Sequence, residues 1–303
     1  MKKNKKALLG LAALAAVAAI GGTWAYWSQD LTAVNEFQTG KYDSDIVEEF
    51  IPPTPGEWVP GVTVPKEVTV KNSGNVKLAA IAAIDQVWVR TESVEAENNG
   101  DNETVSPAEG EYFDLMFRDD KEELQYASII SWGEDIAVLN SKGTETAVLA
   151  AKTLKIDTQV TSLDSADAAG KWILVDAQNS DEVNKGEGFS NLKFVYNGII
   201  GEGGESPKLL TGATLNPLIN TTVTEKTTTV RTDEEGNTIK TTETKTNPAY
   251  GYDSAKYTMT INATTVQATE DAITTTLEAK GYSKLLATEF ITANKDELLK
   301  TES

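Results

Sequence analysis

Alternation of apolar and polar positions runs through most of the chain, and a period of two marks strands with one covered face. Val62, Val64, Val68 and Val70 fall at even positions. Pro65 interrupts them and predicts an edge or bulged strand, because proline brings no N–H to a ladder. After the turn residues Asn72, Ser73, Gly74 and Asn75, positions 78–90 are almost continuously apolar, with Ile81, Ile84, Val87, Trp88 and Val89. That run predicts the central strand, and the two runs together predict an antiparallel hairpin. Further strands are expected at 112–117, 126–132, 171–175 and 189–200, and around Tyr257, Met259 and Ile261, which alternate with threonines. Segment 146–160 fits strand and helix equally. From 270 to 299 the period lengthens to that of a helix, with Ala272, Ile273, Leu277, Leu285, Leu286, Phe290 and Ile291, and Gly281 separates two helical pieces.

The threonine-rich stretch 221–246 has two limbs flanking Asp233, Glu234, Glu235, Gly236 and Asn237. A three-residue loop with Gly236 in the left-handed position sets Glu225 opposite Lys245 and Thr229 opposite Thr241. A shift of one residue would oppose Lys226 to Lys245. Both faces are threonine and charge, so this hairpin is expected to project. Segment 92–111 is acidic and rich in asparagine, centred on Asn98, Asn99, Gly100, Asp101 and Asn102. It is expected to be a surface insertion. Such oxygen ligands also suit calcium, although the spacing is not that of an EF-hand. The acidic run Asp43, Asp45, Glu48 and Glu49 reads as a solvated loop, with a cation site as the sharper alternative. Proline-rich 51–56 marks a stiff spacer, since such residues cannot continue a ladder.

The first residues carry a different pattern. Lys2, Lys3, Lys5 and Lys6 precede an apolar run over 7–20 and then Gly21, Gly22, Thr23, Trp24, Ala25, Tyr26 and Trp27. A basic head, a short apolar core and the small pair Thr23 and Ala25 are the parts of a secretory signal peptide. Export is therefore expected, with cleavage after Ala25 or Tyr26. The alternative is an uncleaved anchor, because the apolar stretch is about 20 residues when counted through Trp27. Positions 26–50 then form an extended arm, with Leu31, Ala33 and Phe37 on one side of a two-residue period.

The 303 residues contain 46 acidic and 27 basic side chains, a net charge of −19, and neither cysteine nor histidine. Removing the four head lysines would leave a net of −23. A surface so acidic repels nucleic acid and anionic membrane. Without cysteine there is no disulfide framework, so stability falls to packing, metal ions or assembly. Without histidine the Ser-His-Asp and Cys-His nucleophiles and the HExxH zinc site are excluded. What remains for catalysis is carboxylate chemistry, such as a glycosidase pair, and no pair stands out among so many.

The sequence 21–27, followed by Asn35, Glu36, Phe37, Gln38, Thr39 and Gly40, resembles the start of the TasA/camelysin family. Pro60, Gly61 and Val62, positions 68–75, positions 257–261 and positions 266–268 match further. The resemblance implies an all-β chain, an antiparallel β-sandwich of jelly-roll type with insertions and a carboxy-terminal helical segment. The patterns read along the chain divide it into signal peptide (1–25), arm (26–50), sandwich body (51–269, with the hairpin at 221–246) and helical segment (270–303). The resemblance also implies a secreted structural subunit of a biofilm-matrix fibre, a homopolymer processed by a SipW-type signal peptidase, with an accessory matrix protein as a further partner. No enzymatic activity and no cofactor are expected, with calcium left open. The name camelysin denotes a metallo-endopeptidase, and zinc ligands for one are missing. Trp27, Leu31, Ala33 and Phe37 are the candidate anchors of a strand donated to a neighbouring copy. Pairing of the arm in cis, as the first strand of its own sheet, is the alternative. An adhesin and a carboxylate-only hydrolase are the competing functions.

Overall fold

The computed structural model describes residues 28–30, 42–50, 58–92, 109–119, 121, 123–127, 129–179, 189–219, 223–232, 238–247, 251–252 and 255–298. Strands dominate and form a sandwich. The larger sheet has the order β1 (Ser28–Asp30), β16 (Ala255–Gln267), β4 (Leu78–Arg90), β12 (Phe189–Tyr196), β11 (Trp172–Asn179), β9 (Ile136–Leu139) and β10 (Gln159–Val160). The short strand β5 (Tyr112–Phe113) also pairs with β4. The smaller sheet has the order β2 (Ser44–Phe50), β3 (Thr63–Asn72), β13 (Leu210–Thr214) and β8 (Ile130–Trp132). Two ribbons pair separately: β6 (Met116–Arg118) with β7 (Leu124–Tyr126), and β14 (Val223–Thr232) with β15 (Thr238–Asn247).

Strand β4 explains the layering. Leu78, Ala80, Ala82, Ile84 and Trp88 join the core between the sheets, with Val68, Val70, Phe194 and Leu210. Ala79 and Ile81 point the other way, into a second core with Ile273, Leu277, Leu286 and Phe290. Those last residues belong to the helices α2 (Glu270–Ala279) and α3 (Lys284–Asn294), which follow α1 (Glu145–Thr153) in the chain. The layers are therefore small sheet, large sheet and helices. A strand covered on both faces reads as a continuous apolar run, which is what 78–90 shows. Thr269 and Ser283 cap the two carboxy-terminal helices by accepting the N–H of Ala272 and Leu286, and Gly281 between them takes φ +77°. The buried Tyr282 hydroxyl lies within donating distance of the carbonyls of Ala82 and Phe194, and burial raises its pKa.

Three expectations change. The runs at 62–70 and 78–90 are not a hairpin, because β3 lies in the small sheet and β4 in the large one. Both edges of β4 are taken by β16 and β12, so β3 packs across the core instead of alongside. The buried side chain of Asn72 holds the crossing: its amide donates to the carbonyls of Val76 and Ile200, and its oxygen accepts from Gly74 N–H. The acidic run at 43–49 is no loop. From Ser44 it is β2, paired with β3 from Ser44↔Asn72 to Phe50↔Lys66. The large sheet is also not wholly antiparallel, since β10 and β11 flank β9 in parallel. Parallel neighbours need a crossover, and α1 supplies it between β9 and β10, burying Ala147, Ala150 and Ala151. Segment 146–160 is thus helix and then strand.

The threonine ribbon has the register set by its charges, with Glu225↔Lys245 and Thr229↔Thr241. Its connection, 233–237, and the insertion at 93–108 lie outside the described residues, as does the spacer at 51–57. Among the described residues no helix is long and apolar enough to cross a membrane.

Candidate assembly site

The outer edge of β16 is where the amino-terminal arm meets the body. Residues 28–30 add to it antiparallel, with Ser28↔Val266, Gln29↔Thr265 and Asp30↔Thr264. This is cis pairing of a short part of the arm. The anchors Trp27, Leu31, Ala33 and Phe37 lie outside the described residues, and so do Thr23, Ala25 and Tyr26 of the cleavage region.

Strand β16 changes character along its length. Tyr257, Met259, Ile261 and Ala263 pack on the core between the sheets, while Thr258 and Thr260 are exposed. Thr265 continues the inward series and is fully buried. An inward hydroxyl needs partners, and Thr265 has two. The Tyr42 hydroxyl lies 2.8 Å from its Oγ1, and the Ser44 hydroxyl lies 2.7 Å away. These bonds tie the start of β2 in the small sheet to the edge strand of the large one. The node was missed in the sequence, although the alternation from Tyr257 to Ala263 puts position 265 on the inner face. Replacing Thr265 with valine keeps the shape and leaves Ser44 and Tyr42 facing a methyl group. A loss of about 1–3 kcal/mol is expected, read as a lower urea midpoint with an unchanged slope.

Toward the other end of β16 an apolar groove opens between the sheets. It has a volume of about 330 Å³ and is lined by Trp58, Val64, Lys66, Ala213, Tyr257 and Met259. Trp58 stacks on Trp88 at 6.1 Å between centroids, and Tyr257 closes on Trp88 at 4.9 Å. The Arg90 guanidinium lies 3.9 Å from the centre of the Phe113 ring and donates to Gly251 O at 2.9 Å. The buried Trp58 indole N–H has no hydrogen-bond partner among the described residues. Lys66 at the rim is ion-paired with Glu48. A strand edge beside an apolar groove receives extended chain, with the backbone on the edge and side chains in the groove.

A larger cleft, about 480 Å³, lies between the β9–α1 turn and the α2–α3 junction. It combines Leu139, Val175 and Leu286 with Lys142, Asp176, Ser283 and Glu289; Asp176 is paired with Lys193 at 3.0 Å, and the Ser283 hydroxyl accepts the N–H of Leu286.

Residues 1–106 match the family model of the camelysin metallo-endopeptidases. This is the family that includes TasA, so the resemblance read from the amino-terminal residues holds over that stretch. No curated protein and no solved structure matches the chain. The family's description implies a catalytic metal, and the donors among the described residues do not fit one. The chain has no histidine or cysteine, and the described residues hold no group of three carboxylates placed to share an ion. Within the run of Asp43, Asp45, Glu48 and Glu49, Asp45 accepts from the Ser73 hydroxyl at 3.1 Å and Glu48 pairs with Lys66. The calcium alternative at 98–102 lies outside the described residues.

Proposed function

We propose that the chain is a secreted structural subunit of an extracellular matrix fibre, without enzymatic activity, that assembles by donating its mature amino-terminal strand to the next copy. A SipW-type peptidase would free the arm by cleaving after Ala25 or Tyr26, and an accessory matrix protein is a further partner. The observation that carries the reading is the register of residues 28–30 on β16. Continued along the same edge, it sets Leu31 opposite Ala263, Ala33 opposite Ile261 and Phe37 opposite Tyr257. All three β16 partners face the core between the sheets, and Tyr257 lines the groove. The residues expected from sequence to anchor the arm thus fall in register with inward positions.

Reach favours a neighbour over self-pairing. Ser44 is fixed beside Thr265, so an arm paired in cis as far as Phe37 must return from Tyr257 to Thr265. Seven residue steps stretch about 25 Å at most, whereas eight residues of strand span about 27 Å, which leaves nothing for a turn. An arm from another copy carries no such tether. Head-to-tail donation need not close, so filaments are its product.

The test compares the mature chain with a variant lacking 26–37, by electron microscopy and by urea denaturation with and without the arm as a free peptide. The deletion is expected to abolish filaments, and the peptide to restore stability to the monomer. Unchanged filaments, or a deleted monomer no less stable and indifferent to the peptide, would overturn the reading.

A further inference from the structure

Long open strand edges invite pairing with another chain, and folded proteins usually blunt them. Among the described residues three such edges stand out: β2 at the border of the small sheet, and the outer edges of β14 and β15. The ribbon β14–β15 is ten pairs long with no third strand, and a two-stranded ribbon is marginally stable in water by itself. Strand β2 has the opposite peculiarity, an edge built from Asp45, Glu48 and Glu49 with Asp43 just before it.

Charge decides which edges can meet. Two β2 edges would bring acid against acid, so β2 of one copy rejects β2 of another. Its neighbour β3 relieves this only in part: Asp45 lies opposite Lys71 and Glu48 pairs with Lys66, but Glu49 lies opposite Glu67. Strand β14 carries Lys226 and Arg231 against the single acid Glu225. Its end is exposed at Val230, Arg231 and Thr232, and Val230 is 57% accessible.

We propose that the open edge of β2 pairs antiparallel with β14 of a second copy, with Asp45 opposite Arg231 and Ile46 opposite Val230. One register satisfies both kinds of contact. Ile46 is half-buried on the inner face of the small sheet and packs against the core between the sheets, so Val230 beside it extends that apolar surface. Asp45 and Val47 are exposed, and Arg231 and Thr229 fall next to them. The competing strand β15 offers only a shorter match: with Lys240 opposite Asp45, its Ile239 opposes Ile46 and its Thr238 opposes Val47, but β15 begins at Thr238 and leaves Glu48 to Phe50 unpaired, whereas the β14 register covers all of Ser44–Phe50. The contact uses neither residues 26–37 nor the β16 edge, so it is a second, lateral association that stands or falls independently of strand donation.

The absence of cysteine makes the test direct, because any disulfide formed between engineered residues is between copies. The mature chain is made as Asp45→Cys and, separately, as Arg231→Cys, and the two are mixed under mild oxidation. Opposed strand residues lie within disulfide reach. The mixed dimer is expected to form at least about tenfold faster than one between Asp45→Cys and Thr241→Cys, which sits on the other strand of the ribbon. A parallel arm measures self-association by sedimentation: Arg231→Glu is expected to weaken it about tenfold, and adding Asp45→Lys to restore it. Mixed dimers no faster than the control, or an Arg231→Glu chain that associates as before, would overturn the proposal. Running both arms on the chain lacking 26–37 separates this contact from strand donation.

Discussion

Replacing Gly133 with alanine is expected to cost about 3 kcal/mol or more and to deplete folded protein on expression. Gly133 follows directly on β8, and its N–H donates to Leu209 O at 3.2 Å. A Cβ built there would lie 1.8 Å from Lys208 O and 2.8 Å from Lys208 C. Those are backbone atoms, so no rotamer change relieves the clash. Relief requires β13 to move away from β8, and that loosens Leu209, Leu210 and the small sheet's hold on the core. Gly201 is the control, because a Cβ there meets nothing within 4 Å and alanine should be neutral or slightly stabilising. Urea midpoints of the two variants against the parent decide it. A Gly133→Ala chain within 1 kcal/mol of Gly201→Ala would mean that the two strands slide apart freely.

How much of this could be read from the chain alone depended on what each pattern encodes. A period of two reports burial of one face and a continuous apolar run burial of both, so β16 and β4 were legible as strands, and the change of period at 270 marked the two carboxy-terminal helices. Neither pattern carries information on which strand lies alongside. That is why β3 and β4 looked like a hairpin while their partners were β13 and β16. Where opposed side chains are charged, register becomes legible, and Glu225↔Lys245 followed from the sign of the residues. Acidity hid β2: Asp45, Glu48 and Glu49 outweighed Ile46, Val47 and Phe50, although an edge strand tolerates charge that a central one does not. The parallel corner at β9 was invisible because Gln159–Val160 is two residues long.

The assembly site was legible in a different way. The arm was marked by its place after the basic head and apolar run and by alternating apolar residues, and the edge that receives residues 28–30 was not. Its floor is a row of ordinary strand residues, Tyr257 to Ala263, whose significance lies in being the border of the large sheet. Thr265 looks like one more threonine in a threonine-rich strand. Only the topology shows that its hydroxyl joins the two sheets beside that border.

Trp172→Ala is expected to destabilise the chain by about 3–5 kcal/mol, a large part of a typical domain's 5–15 kcal/mol. The side chain is fully buried. Its ring packs on Tyr196 at 5.6 Å and its N–H donates to Pro207 O at 2.9 Å. Its backbone sits where the sheet changes sense, opposite Tyr196 on antiparallel β12 and Ile136 on parallel β9. Truncation would leave a cavity the size of an indole between strands that ladder bonds hold on both sides, so collapse cannot fill it. Phenylalanine separates the contributions: it keeps much of the ring's contact area and removes one of two donors to Pro207 O, the Ser206 hydroxyl remaining at 3.0 Å, for a loss of about 0.5–1.5 kcal/mol. Urea denaturation of both variants gives the two values. A Trp172→Ala loss near that of Trp172→Phe would assign the residue's importance to its hydrogen bond to Pro207, and a loss several kcal/mol larger assigns it to packing at the junction.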